Sequence, residues 1–136
     1  MKAILVDPGA PTVTEADYDG DLESLYRIIG CSLVDHVHLD GDISDGSNGM
    51  FVNDEGLLRD PPPEHFFTIE TEFGRTDPIP GKALIAGADS DGNPTDTTMT
   101  PEEVKARIKW LTINQQKQQT ATNKIEKIAL THCIHV

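Results

Sequence analysis

Cysteine and long apolar runs are both scarce in this chain. Its 136 residues include only Cys31 and Cys133, which are not spaced like metal ligands, and a reducing compartment would keep both as thiols. No apolar run has the length of a membrane span, and the apolar stretch at residues 2–6 is too short before Pro8 to be a secretory signal. We therefore expect a cytoplasmic protein without a disulfide or a membrane association.

Basic residues are scarce as well. The sequence contains 11 Lys and Arg against 23 Asp and Glu, which gives a formal net charge of -12. Residues 1–100 hold 20 acidic and 5 basic residues (-15), whereas residues 101–136 hold 3 and 6 (+3). The acidic part argues against direct binding to nucleic acid or anionic membranes, because such binding depends on Lys and Arg. Two interpretations stay open: a solvated surface that keeps the protein soluble, and an acidic face that binds a basic partner.

The periodicity of apolar residues predicts one α+β domain over residues 1–112. The expected architecture is a small, mostly antiparallel sheet with one short helix after the first strand and a C-terminal helix. Residues 8–20 and 40–49 are expected to be connections, because polar residues and glycine dominate them. Residues 113–136 are a polar linker and a C-terminal segment that could be a helix, an added strand or a flexible tail. The predicted strands are residues 2–6, 33–39, 50–52, 66–73 and 82–88.

Capping residues delimit the two predicted helices. Asp21 is a good N-cap for the first helix, and Gly30 is a good C-terminal stop. Thr100 is the expected N-cap of the last helix, Pro101 its first residue, and Glu103 completes a capping box. The residues expected to lie on the apolar faces of the two helices are Leu22, Leu25, Tyr26, Ile29, Val104, Ile108 and Leu111.

Alternation along the strands assigns side chains to faces. Val34, His36 and His38 are expected on one face of their strand, opposite to Leu33, Val37 and Leu39. Thr68 is expected to point away from the core. The residues expected on the buried faces are Leu33, Val37, Leu39, Phe67, Ile69 and Phe73.

Five segments together carry a resemblance to a known family. They are MKAILVDP at the amino terminus, LESLYRIIGC, VNDEGLL, HFF and PGKALIAGADSDG. Over roughly residues 1–112 the chain resembles an uncharacterised family of small acidic proteins that bacteriophages, prophages and plasmids encode. The resemblance implies a mobile-element origin, and it implies no activity, cofactor or catalytic residue. The RDPPP connection at residues 59–63 and the segment 113–136 depart from the family's pattern.

The stretch GADSDGNPTD at residues 87–96 partly matches a calcium-binding EF-hand loop. Asp89, Asp91 and Asn93 occupy the first, third and fifth positions of such a loop. Pro94 replaces the glycine needed at the sixth position, and Thr100 replaces the glutamate needed at the twelfth. We therefore expect a connection from a strand to a helix, without calcium.

Histidines supply the best candidates for a zinc site. His36 and His38 share one face of a strand, and His132, Cys133 and His135 could join them if the tail folded back. The spacing matches no recognised finger or ribbon, and paired histidines on a polar face are more often solvated. We therefore predict that the protein holds no metal and no other cofactor.

Catalytic motifs give little support to an enzyme. Cys31 follows the C-terminal end of the first predicted helix, where the helix dipole disfavours a thiolate, so a structural role is expected. Gly81 and Lys82 precede a strand, whereas a phosphate-binding loop links a strand to a helix. We predict no catalytic residue, and a metal-dependent or hydrolytic enzyme ranks last among the functions considered.

Two binding hypotheses remain. In the leading one, a nonenzymatic mobile-element protein occupies or inhibits a host or defence protein through its acidic surface, and it could also form a homo-oligomer. In the alternative, Arg75 and Lys82 capture a small anionic metabolite or nucleotide, because they are two of only five basic residues among residues 1–100. The candidate binding residues of the acidic surface are Asp40, Asp42, Asp45, Asp89 and Asp91.

Overall fold

Alternating apolar residues build two antiparallel sheets and two helices. The structure is a computed structural model that describes residues 1–42, 46–54 and 63–112. Within these ranges every strand pair is antiparallel, and no helix is long and apolar enough to cross a membrane. The predicted α+β class is confirmed. In chain order the strands are β1 (Lys2–Asp7), β2 (Thr12–Asp17), β3 (Val34–Asp42), β4 (Gly46–Asn53), β5 (His65–Thr71), β6 (Gly74–Arg75), β7 (Ile79–Pro80), β8 (Ala83–Ala88), β9 (Pro94–Thr95) and β10 (Ile108–Thr112).

The larger sheet, sheet A, has the strand order β2-β1-β8-β4-β3, and β9 also pairs with β8. Strand β8 lies at its centre, and its first five residues are buried. A nearly continuous apolar run such as ALIAGA suits this place because both faces of a central strand are covered. The smaller sheet, sheet B, has the order β10-β5-β6, and β7 also pairs with β5.

Helix α1 (Leu22–Ile29) ends as predicted at Gly30, whose φ of 79° is a left-handed conformation that glycine adopts without strain. Asp21 occupies the N-cap position, but its side chain accepts no capping hydrogen bond. The Asp19 carboxylate instead accepts hydrogen bonds from the Asp21 N–H (2.8 Å) and the Ser24 hydroxyl (2.7 Å). These bonds hold the pKa of Asp19 below its usual range, because they favour the ionised form.

Helix α2 (Pro101–Arg107) begins as predicted, because the Thr100 hydroxyl accepts a hydrogen bond from the Glu103 N–H at 3.2 Å. It ends at Arg107, however, and the next residue already belongs to a strand. Val104, Ile108 and Leu111 were predicted to form the buried face of this helix. Only Val104 lies in the helix, and the other two belong to the strand that follows.

Alternation in sheet A separates two apolar cores. Ile4 and Ile85 point towards sheet B and α2, where they pack with Phe67. Leu84 points the other way and packs against Leu25 of α1. The molecule thus has three layers, with α1 on one side of sheet A and sheet B on the other.

Two strands form where the sequence predicts a connection or a helix. Residues 12–17 lie within a predicted connection but form β2, which pairs with β1 from Lys2–Asp17 to Asp7–Thr12. Residues 108–112 lie within or after a predicted helix but form β10, which pairs with β5. Pairing with a neighbouring strand overrides local periodicity in both places.

Other differences concern the ends and faces of elements. The predicted loop at residues 40–49 is too long, because β3 continues to Asp42 and β4 begins at Gly46. Thr68 is buried, and its hydroxyl accepts a hydrogen bond from Arg75 at 2.9 Å. Phe73 is 81% exposed because it lies in the turn between β5 and β6. Two further residues predicted to lie on apolar faces, Leu22 and Leu33, are also exposed.

Candidate functional site

A cavity of about 410 Å³ opens on the face of sheet A that carries α1. The cavity lies over the ends of β8 and β4, and Phe51 belongs both to its wall and to the side chains packed around α1. We call it the histidine groove. Its lining residues are His36, His38, Ser47, Phe51, Ala86, Gly87, Ala88, Asp89, Gly92 and Pro94.

Small residues create this space. Ala86, Gly87 and Ala88 form the floor, so no long side chain of β8 fills the groove. A Cβ atom at Gly87 would overlap the backbone of Asp96, and a Cβ atom at Gly49 would overlap the imidazole of His36. The His36 ring can therefore lie directly on the backbone of β4 only because residue 49 is glycine.

His36 is a largely neutral wall of the groove. Its ring meets the ring of Phe51 edge to face, with the ring centres 5.1 Å apart. Although His36 is still exposed on one side, burial of its ring lowers its pKa, and the nearby His38 lowers it further. The carboxylate of Asp35 acts in the opposite direction but does not reverse the shift. At neutral pH the ring can therefore accept as well as donate a hydrogen bond.

His38 ties the groove to sheet B. Its Nε2 atom lies within hydrogen-bonding distance of the Glu72 carboxylate, and the Glu72 N–H donates a hydrogen bond to the Leu39 carbonyl at 3.0 Å. The ring of Phe73 lies with its centre 5.6 Å from that of His38. The turn between β5 and β6 thus rests against the outer edge of β3 and places an exposed aromatic ring beside the groove.

The loop after β8 forms another wall. One oxygen of the Asp89 carboxylate accepts hydrogen bonds from the N–H groups of Asp91 and Asn93, both at 2.9 Å. Gly92, with a φ of 84°, donates its N–H to the Asp89 carbonyl at 3.0 Å. The GADSDGNPTD stretch is therefore a tight turn from β8 into β9, and α2 follows only afterwards.

Sequence comparison identifies the family. The family described as Domain of unknown function (DUF3846) matches residues 1–112, from the first residue to the last residue of β10. The chain belongs to this family. No curated protein and no solved structure matches it.

The acidic residues singled out in the sequence lie in different surroundings in this DUF3846 protein. Asp40 forms an ion pair with Arg107 at 3.2 Å and accepts a hydrogen bond from Asn48 at 3.0 Å. Asp89 lines the groove, and Asp91 is exposed on the same loop. Asp42 is described only as backbone within β3, and Asp45 lies outside the described residues.

The structure does not bring Arg75 and Lys82 together. Arg75 lies opposite Glu70 of β5 and forms an ion pair with it at 3.4 Å. Lys82 follows β7, which pairs with the other end of β5, and it lines a separate cavity of about 390 Å³ beside His65. The two residues therefore lie near opposite ends of β5.

Only two of the five candidate zinc ligands lie among the described residues. His132, Cys133 and His135 lie outside the described residues, so their relation to His36 and His38 is not defined. Among residues 1–42, 46–54 and 63–112, no three His, Cys, Asp or Glu side chains form a group that could hold a metal ion. Cys31 is half-buried, and this burial raises the pKa of its thiol.

Sequence reasoning missed the apolar part of the site. Phe51 was placed only within a predicted strand, and Phe73 was placed by alternation on a buried face. Neither signal shows that Phe51 lies beside His36 or that Phe73 lies beside His38. The small residues at positions 86–88 were a usable signal, because glycine within a strand often marks a close approach of backbone or ligand. Only the pairing of β8 with β4 shows which side chains border them.

Proposed function

We propose that the protein is a nonenzymatic binding protein that holds a small molecule with a planar apolar ring in the histidine groove. The observation that carries this proposal is the combination of a floor of small residues with aromatic walls. His36 and Phe51 stand over Ala86, Gly87 and Ala88, and the space between them is large enough for a heteroaromatic ring. Concave, mostly apolar surfaces with few polar groups are typical of small-molecule sites.

The charge of the lining selects against anions. Asp89 is a carboxylate, and among the described residues neither Lys nor Arg lines the groove. An anion would lose hydration there and be repelled by Asp89. An uncharged ring has little hydration to lose, and a cationic ring would be attracted to Asp89. The anionic ligand considered for Arg75 and Lys82 is therefore a poor candidate for this groove.

The titratable groups support binding more than catalysis. His38 is paired with Glu72, and the Asp89 carboxylate is held by two N–H groups of its own loop. These contacts fix the walls in place. Phe73 is exposed beside His38, so an apolar ring surface also lies next to the groove.

The test is an amide-detected NMR titration with four planar probes: purine, uracil, nicotinamide and indole. We expect at least one probe to cause saturable shifts at His36, Phe51 and the floor of β8. Ala88→Leu should abolish these shifts because its side chain fills the groove. Ala106→Leu, at an exposed position on α2, is the matched control and should bind normally. Circular dichroism checks that both variants fold. No groove shifts with any probe, or equal binding by Ala88→Leu, would refute the proposal.

A second candidate function rests on the charge of the chain. The formal net charge of -12 and the resemblance to phage and plasmid proteins support binding to a basic host or defence protein. Because Asp40 and Asp89 make structural contacts, the exposed carboxylates of Glu15, Glu23 and Asp91 are better test positions.

This second function predicts association that is sensitive to salt. A protein captured from a bacterial lysate should associate more slowly at 300 mM than at 50 mM NaCl, because salt screens exposed charges. Changing the three test carboxylates to amides should slow association in the same way. An association rate that neither salt nor these substitutions change would exclude an electrostatic mode of binding.

A further inference from the structure

One end of the histidine groove is bordered by aromatic rings. Ala86 of the floor pairs with Gly49 of β4, and the His36 ring lies over that glycine. Phe51 is the next residue of β4 on the same face, and its ring meets the His36 ring edge to face. A planar ring that lies over Ala86 would therefore contact aromatic side chains.

The other end of the groove is bordered by a hydroxyl group and a carboxylate. Ala88 pairs with Ser47 and is followed by Asp89, and all three line the same cavity as the aromatic end. Ala86 and Ala88 point to the same face of sheet A, about 7 Å apart, because a strand rises about 3.4 Å per residue. The two ends therefore lie within reach of one small molecule.

The Asp89 carboxylate is half-buried, and its own loop fixes its position. The N–H groups of Asp91 and Asn93 both donate to the same oxygen of this carboxylate. A carboxylate that is partly removed from water attracts a cation more strongly than an exposed one, because the effective dielectric constant around it is lower. The Ser47 hydroxyl, which lines the same end, can accept a hydrogen bond from the same cation.

We infer that the ligand is an aromatic amine, with its ring beside Phe51 and His36 and its ammonium group beside Asp89. This inference rests on the proposed function and adds a charge and an orientation to the bound ring. A ring joined to an ammonium group by two carbon atoms matches the separation of the two ends. A carboxylate in place of the ammonium group would be repelled by Asp89.

The experiment compares a cationic, a neutral and an anionic compound that share one ring, by amide-detected NMR titration. The indole series is tryptamine, 3-ethylindole and indole-3-propionate. The phenol series is tyramine, 4-ethylphenol and 3-(4-hydroxyphenyl)propionate. In at least one series the amine should bind about tenfold more tightly than the neutral compound, and the carboxylate should bind more weakly than the neutral compound. The saturable shifts should include Ala88 and Asp89 as well as His36 and Phe51.

Variants at two aspartates locate the charge that the amine uses. Asp89→Asn should weaken binding of the amine about tenfold and leave binding of the neutral compound unchanged, because only the amine is attracted by the negative charge. The amide oxygen of the variant can still accept the N–H groups of Asp91 and Asn93. Asp91→Asn is the matched control, because it removes the same charge from the same loop at a residue that is not among those lining the groove. It should bind both compounds normally, and circular dichroism checks that both variants fold.

The outcomes separate this inference from the proposed function. Equal affinities within both series, or tightest binding by the carboxylates, would overturn the inference and leave the ring-binding groove standing. Equal affinity of Asp89→Asn and Asp91→Asn for the amine would also overturn it. If neither series binds but purine, uracil, nicotinamide or indole does, only this inference fails. If none of these compounds binds, both proposals fail.

Discussion

The position of the His36 ring depends on residue 49 being glycine, because glycine has no side chain. The imidazole lies where a Cβ atom at residue 49 would stand, and Phe51 covers it from the side. Because His36 is on an edge strand and partly exposed, its ring has room to leave this position without disturbing the core. The shape of the groove therefore depends on one glycine more than on the histidine itself.

Gly49→Ala tests this dependence. We expect the protein to remain folded while the His36 ring moves off β4, so its pKa should rise towards the ordinary value of 6.5. An NMR titration of the ring protons measures this change, and binding of the planar probes should weaken in parallel. Gly9→Ala is the control, because a Cβ atom there makes only an ordinary contact. An unchanged His36 titration in Gly49→Ala would contradict the prediction.

His36 should also make stability depend on pH. Its pKa is lower in the folded protein than in the unfolded chain, so the unfolded chain binds more protons in the range between the two values. The free energy of unfolding should therefore fall as the pH decreases from about 7.5 through 6.5 and below. The groups that face the ring are Phe51, His38 and Asp35, and of these His38 strengthens the effect and Asp35 opposes it.

Comparison of the wild type with His36→Gln isolates this contribution. Both proteins are unfolded with urea at several pH values, and the difference between their unfolding free energies is plotted against pH. We expect the wild type to lose more stability than His36→Gln below pH 6.5. Parallel pH profiles would mean that folding does not lower the pKa of the His36 ring.

At the scale of elements, the sequence predicted the features that depend on local contacts but not the strands that depend on long-range pairing. Thr100 and Gly30 mark a helix start and a helix end through contacts within a few residues, and both positions agree with the sequence. β2 and β10 depend on strands that lie elsewhere in the chain, and neither was predicted. The groove could not be predicted for the same reason, because β3, β4 and β8 each supply only a part of it.

β10 shows how pairing decides between a strand and a helix. Trp110 lies opposite Phe67 of β5, and the two rings meet edge to face with their centres 6.3 Å apart. Continuing α2 would remove both this ring contact and the hydrogen bonds to β5. The residues from Ile108 to Thr112 also include a β-branched residue at each end and an aromatic residue, which suits a strand.

Substitutions at two adjacent positions test whether side chains of β10 alternate between a buried and an exposed face. Trp110→Ala should lower the free energy of unfolding by about 2–4 kcal/mol, because it removes a large side chain packed against the core. Lys109→Ala should change it by less than about 0.5 kcal/mol, because Lys109 is exposed on the other face of β10. Urea unfolding followed by circular dichroism measures both. Similar losses for the two variants would contradict the alternation of a strand.

At the scale of the whole molecule, excess negative charge opposes compactness. The chain carries a formal net charge of -12, and self-repulsion of like charges destabilises a compact folded state. The described ion pairs, such as Asp40–Arg107 and Glu70–Arg75, act in the opposite direction. Both are on partly exposed side chains, so each contributes little.

Salt should therefore stabilise the protein. Raising NaCl from 10 to 150 mM should increase the melting temperature by about 4 °C, which corresponds to about 1 kcal/mol for a domain of this size. Differential scanning calorimetry measures the shift, and an equal effect of KCl would identify screening as its cause. A melting temperature that falls with either salt would show that the ion pairs outweigh the repulsion.

The central place of β8 also determines when sheet A can be completed. The hairpin of β1 and β2 and the hairpin of β3 and β4 each join neighbours in the sequence, but only β8 pairs with both hairpins. On the ribosome β8 is synthesised last of these five strands, after at least 82 residues have been added. Until then the two hairpins have no strand between them, and their apolar faces lack a shared core. Sheet A therefore cannot be completed during translation until β8 has been synthesised. Before that point the apolar faces of the two hairpins are uncovered, which favours aggregation.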